Sequence, residues 1–89
     1  ALAPSIGYAV TYDGNGASGG TVPIDPNTYV TGSTVVALGN TGSLVREGYI
    51  YDGWNTKPDG SGIILSNLGD TFTMGSEDVT LYAQWAPPS

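Results

Sequence analysis

The chain has 89 residues and a formal net charge of −6, set by eight acidic side chains against Arg46 and Lys57 alone. Two cations cannot neutralise a row of phosphates, which excludes nucleic acid and disfavours anionic lipid as partners. Charged residues make up only 11% of the chain and Gly numbers 14, so short strands and tight turns are expected in place of amphipathic helices with charged outer faces. Cys and His are both absent. No apolar run approaches the roughly 20 residues of a spanning helix, so membrane insertion is not expected. A length of this order suits one small domain, placed at residues 6–86. Ala1–Ser5 and Pro87–Ser89 are small, uncharged and Pro-containing, as linkers of an excised repeat would be.

In chain order, Ile6 to Asp13 alternates, with Ile6, Tyr8, Val10 and Tyr12 on one face of a half-buried strand. Gly14 to Gly20 is a loop. Thr21 to Ile24 is expected to rejoin the sheet briefly before Asp25-Pro26-Asn27 turns the chain, which leaves Tyr29 in a loop. Thr34 to Leu38, rich in β-branched side chains, is the second main strand. Ser43 to Glu47 offers one short helical turn, with Ser43 as N-cap and Gly48 past its end. Gly48 to Thr56 is the stretch around which the chain is organised. Tyr49 and Tyr51 share one face of a strand, Ile50 takes the other, and Gly53 marks a bulge beside Trp54. Pro58-Asp59-Gly60 is a turn. Ile63-Ile64-Leu65 and Asp70 to Met74 are short apolar islands. Val79 to Trp85 alternates again, with Val79, Leu81, Ala83 and Trp85 opposite Thr80, Tyr82 and Gln84. That strand is expected near the sheet centre, beside the first.

Three motifs stand in order: Val10-Thr11-Tyr12-Asp13-Gly14-Asn15-Gly16, Gly48 to Thr56, and Val79-Thr80-Leu81-Tyr82-Ala83-Gln84-Trp85. Together they resemble the Listeria–Bacteroides repeat, the internalin B-repeat type of extracellular module, usually found in tandem on bacterial and archaeal surface proteins. The resemblance covers Tyr8 to Trp85. It implies a small β-grasp-like domain, ubiquitin-like in outline, with a mixed sheet whose first and last strands are adjacent and parallel. The fold class is thus mainly β, or α+β with at most one helical turn. The resemblance also implies secretion and a multidomain parent chain, and it supplies no catalytic residue.

The residues themselves agree on the last point. No His is present to activate a Ser or Thr. The available carboxylate pairs, Asp52 with Asp59 and Glu77 with Asp78, lie in or near turns, where acids cap backbone. Asp13-Gly14-Asn15-Gly16 has the opening spacing of a calcium loop, but its fifth position is Ala17 and its twelfth Ile24. No metal or other cofactor is expected. Six Tyr and two Trp raise carbohydrate binding as an alternative. Tyr12, Trp54, Leu81 and Trp85 are assigned to the core, which leaves Tyr29 and Tyr82 as surface candidates. The expected function is a non-catalytic cell-surface or secreted repeat module, a spacer or adhesion element that is monomeric when isolated. Its partners would be neighbouring repeats and an unknown protein or glycan. The alternatives are a carbohydrate-binding module on a secreted enzyme and a metal-dependent domain.

Overall fold

The alternating run near the C-terminus forms the strand that organises the sheet. The computed structural model describes residues 7–66 and 69–88, so the N-terminal linker 1–5 and Ile6 lie outside the described residues. Seven strands occur in chain order: β1 (Tyr8–Asp13), β2 (Thr28–Tyr29), β3 (Thr34–Val36), β4 (Ile50–Asn55), β5 (Ile64–Leu65), β6 (Thr71–Thr73) and β7 (Val79–Ala86). Five of them make one mixed sheet in the order β2-β1-β7-β4-β5, while β3 and β6 pair as a separate ribbon. There is no helix among the described residues, so the fold is mainly β.

β7 sits at the centre, parallel to β1 and antiparallel to β4. The β1–β7 register runs from Val10↔Val79 to Asp13↔Tyr82. Period-two alternation then places Val10, Tyr12, Leu81 and Ala83 on one covered face, where all four are buried. Val35 and Phe72 from the β3–β6 ribbon and Met74 just after it pack in the same core, joined by Ala37, Leu44, Trp54 and Leu65.

The bulge at Gly53 is present. Asp52 and Gly53 of β4 lie between Tyr51↔Trp85 and Trp54↔Ala83, opposite Gln84 alone. Gly53 adopts φ +93°, and a Cβ there would stand 2.5 Å from Ser66 Cα. The extra residue shifts the side-chain phase, so Tyr51 and Trp54, three apart in sequence, both reach the core. Their rings meet edge-on at 5.7 Å. Tyr49 precedes the strand and is exposed, its ring under the Arg46 guanidinium at 4.3 Å, so it does not share the Tyr51 environment.

Three local expectations are corrected. Ser43 caps no helix, because its φ is +55° and Asn40 holds both polar groups of Leu44: Oδ1 accepts from the Leu44 N–H at 2.7 Å and Nδ2 donates to its carbonyl at 3.0 Å. Five residues cannot nucleate a helix against that local alternative. Thr21 to Ile24 forms no strand; its tie is the Thr21 N–H donating to Gly42 O at 3.0 Å, while Pro23 is buried and Val22 packs on the core. The strand expected over Thr34 to Leu38 is present but ends at Val36, and it pairs with β6 outside the five-stranded sheet, with Val35 opposite Phe72.

Candidate functional site

Tyr29 is not in a loop. It lies in β2, paired with Tyr8 across the sheet edge, and is half-buried. Its hydroxyl donates to Asp25 Oδ2 at 2.6 Å, and this bond together with burial raises the Tyr29 pKa. Burial works against the Asp25 carboxylate, but bonds from Tyr29 and Asn27 outweigh it and hold the acid below its ordinary range. Tyr82 lies on β7 in register with Asp13 on one side and Asn55 on the other, and is also half-buried. The two candidate tyrosines thus stand on different strands, with β1 between β2 and β7.

The core aromatics form a chain of edge contacts. Tyr12 meets Trp54 at 4.8 Å between ring centroids, and Tyr51 meets Trp85 at 6.1 Å. Tyr12, Trp54 and Leu81 are buried, whereas Trp85 is half-buried and donates its indole N–H to Gly14 O at 3.0 Å. Burial, with a smaller contribution from Tyr12, pushes the Tyr51 pKa up to about 12. A phenol held that firmly neutral is a poor nucleophile or base near neutral pH.

The polar side chains singled out in the turns hold backbone. Asp13 Oδ1 accepts from the Asn15 N–H at 2.7 Å, and Asn15 Nδ2 donates to Pro58 O at 3.0 Å and to Ala83 O at 2.9 Å. Asn15 therefore aims its amide nitrogen, not an oxygen ligand, across the loop. Asp59 Oδ1 accepts from Ser61 N and Oγ, and these bonds lower its pKa. Asp78 Oδ1 accepts from the Ala9 N–H at 2.9 Å. Among the described residues no three acidic side chains converge as a metal site.

Asn55 is the buried polar residue that sequence reasoning passed over, and its role is to hold a turn. It is 1% exposed, with Oδ1 accepting from the Lys57 and Gly62 N–H groups and Nδ2 donating to Gly60 and Gly62 carbonyls. One amide thereby fixes the whole 57–62 turn. The available signal was an Asn directly after the core Trp54 and before a Gly-rich turn.

Clefts among the described residues border this framework. One, of about 120 Å³, lies among Leu38, Tyr51, Trp54, Leu65 and Ser66. Its indole N–H and the Leu38 main chain already have partners. Another, of about 270 Å³, is lined by Asp52, Asn55, Gly60, Ile64, Ser66 and Gln84. It joins the exposed Asp52 carboxylate and the amides of Asn55 and Gln84 to one exposed aliphatic side chain, Ile64.

The Listeria-Bacteroides repeat domain model matches residues 8–84. Two curated proteins of Evansella cellulosilytica are similar. One, called "Putative Gly-rich membrane protein", is 44% identical over 88% of this chain, and the other, called "Putative membrane protein", is 47% identical over 89% of it. The chain spans only 9% and 11% of the length of those relatives. No solved structure matches with significance.

Proposed function

This chain belongs to the Listeria–Bacteroides repeat family, and from that premise we propose that it is a non-catalytic extracellular module of a cell-surface or secreted protein, serving as a spacer and adhesion element. The observation that carries the reading is the direction of the ends. The chain enters the sheet at Tyr8 and leaves it at Ala86 on adjacent parallel strands, so entry and exit lie at opposite ends of the sheet and copies can join end to end. Asp13, Asn15, Asn55, Asp59 and Asp78 are engaged in holding turns and strand ends, which suits a scaffold. Relatives named as membrane proteins, about ten times longer than the matched segment, support placement of such units at the cell envelope. The surface, with a net charge of −6, keeps the isolated unit monomeric and neighbouring copies weakly repelling. Contacts with a cell-surface protein or glycan would be weak singly and multiplied along the array.

One copy and several linked copies should be compared by solution scattering and by binding to neighbouring cells. An extended multi-copy chain that binds far better than one copy is expected. A collapsed multi-copy chain would remove the spacer role, and equal binding by one copy and several would remove the multiplied contact.

The cleft lined by Asp52, Ile64 and Gln84 favours a second reading, a glycan-binding module, because it combines polar partners with an apolar surface, and Tyr82 lies in register with Asn55 of its lining. Loss of glycan-array signal in both Tyr82→Ala and Gln84→Ala would establish that reading, and an array without signal for the parent chain would remove it.

A further inference from the structure

The two strands that carry the chain into and out of the sheet are each other's neighbours. Because they are parallel, a pull between the chain's ends runs along both strands in opposite senses. It loads Val10↔Val79, Thr11↔Thr80, Tyr12↔Leu81 and Asp13↔Tyr82 together, in shear. An antiparallel terminal pair would put both ends at one end of the ladder, and the same pull would open it one bond at a time.

Side chains lengthen this ladder past both of its ends. Below the first pair, the Ala9 N–H donates to Asp78 Oδ1 at 2.9 Å. Above the last, Asn15 Nδ2 donates to Ala83 O at 2.9 Å and Trp85 Nε1 donates to Gly14 O at 3.0 Å. Each of these bonds joins the β1 segment to the β7 segment. Tyr12 and Leu81 lie beneath the ladder at 3% and 0% exposure, so water cannot replace its bonds from that face. β7 is held on its far side by β4, from Ile50↔Ala86 to Asn55↔Tyr82, whereas β1 has only the two pairs with β2 beyond it. β1 is therefore the strand that must slide.

We propose that the β1–β7 pair is a shear clamp, and that the module has a load-bearing function: it stays folded under tension transmitted along the chain. The source of that tension rests on the surface-module reading, but the clamp itself is a property of this domain and is measured without any partner.

The chain has no Cys, so single attachment points can be introduced cleanly. In a single-molecule stretching experiment, one set of molecules is held by the two termini. A second set is held by the N-terminus and Glu77→Cys, exposed two residues before β7, where the pull peels β1 from β7. Forced unfolding reports the unfolding barrier, and the terminal pull should need at least about twice the force of the peeling pull. Trp85→Phe, which keeps an aromatic ring but removes the indole donor, should lower the terminal force and leave the peeling force unchanged. Asn15→Ala repeats that comparison at the same end with a different side chain. Equal forces in the two directions would overturn the clamp. So would side-chain effects of the same size in both directions, since they would mean a general loss of stability. Failure of the multi-copy binding experiment would leave these force results standing.

Discussion

Tyr12 and Trp54 together take both main-chain polar groups of Leu38. The Tyr12 hydroxyl accepts from the Leu38 N–H at 2.9 Å, the Trp54 indole donates to the Leu38 carbonyl at 2.8 Å, and the two rings meet edge to face. The covering segment after β3 is thereby fixed to β1 and β4, with which it shares no ladder. Trp54→Phe keeps an aromatic in place but strands the Leu38 carbonyl, and a loss of about 1–3 kcal/mol is expected from urea unfolding. Tyr12→Phe strands the N–H and should cost a similar amount. The double variant should lose less than the sum, because both act on one residue. Strict additivity would show that Leu38 is held by something else.

Asn55→Ala removes one side chain and leaves the N–H groups of Lys57 and Gly62 and the carbonyls of Gly60 and Gly62 without their partner. Part of this turn reaches water, so the expected loss is about 2–4 kcal/mol rather than the full sum of four stranded groups. Hydrogen exchange at the Gly62 amide should accelerate more than exchange on β1. Uniform acceleration across the sheet would show that Asn55 stabilises the whole fold and not this turn.

Two glycines with similar backbone angles should respond differently to alanine. Gly48 has φ +84° and open space where a Cβ would go, so Gly48→Ala carries only the left-handed backbone penalty of about 1–2 kcal/mol. Gly53 has φ +93° and would place its Cβ 2.5 Å from Ser66 Cα and 2.8 Å from Leu65 O, both backbone atoms of the β5 segment. Gly53→Ala should cost about 3 kcal/mol or more and loosen β5 from β4. Equal melting temperatures for the two variants would contradict the close packing of β5 at the bulge.

Alkaline pH should destabilise the domain. Burial raises the Tyr51 pKa from 10.0 to about 12, and burial also raises that of Tyr12. Between pH 10 and 12 the unfolded chain loses the Tyr51 proton while the folded chain retains it. Stability from this group is thus complete below pH 10 and falls as pH rises towards 12. Urea midpoints should drop through that window, with three late-titrating tyrosines, Tyr12, Tyr29 and Tyr51, visible by ultraviolet absorbance. Tyr51→Phe should blunt the drop, and an unchanged slope would assign it to other groups.

The parts of the fold that were legible in the sequence are those set by side-chain period. Val10 and Tyr12, like Leu81 and Ala83, repeat every second residue because one face of their strands is covered, and Gly53 announced the break in that period. The ribbon was not legible as a separate sheet, since Val35 finds Phe72 through a long-range pairing that leaves no local mark. Tyr29 was placed in a loop because a strand of two residues has no period, and its partner Asp25 looked like turn chemistry alone. Ser43 matched a cap by residue type, but the Asn40 amide, four residues from Leu44, decided that segment. Among the aromatics, the burial of Tyr12 and Trp54 was legible from their strands, whereas the separation of Tyr29 from Tyr82 by β1 was not. The cleft beside Asn55 was not legible either, because it exists only once the 57–62 turn is drawn against β4.

The pairing of β1 with β7 also governs when this domain can come into being. Val10 waits for Val79, and the Ala9 N–H finds its acceptor 69 residues further on. While the chain is being synthesised, β1 has only the two residues of β2 to pair with, and the central position of the sheet is vacant. Folding is therefore expected to be completed by the last strand, and to be slow for a domain of this size because the pairing that closes the sheet joins distant segments. Where copies follow one another, an unpaired β1 can meet the β7 of the copy before it. Correct assembly then depends on each unit closing before the next one emerges.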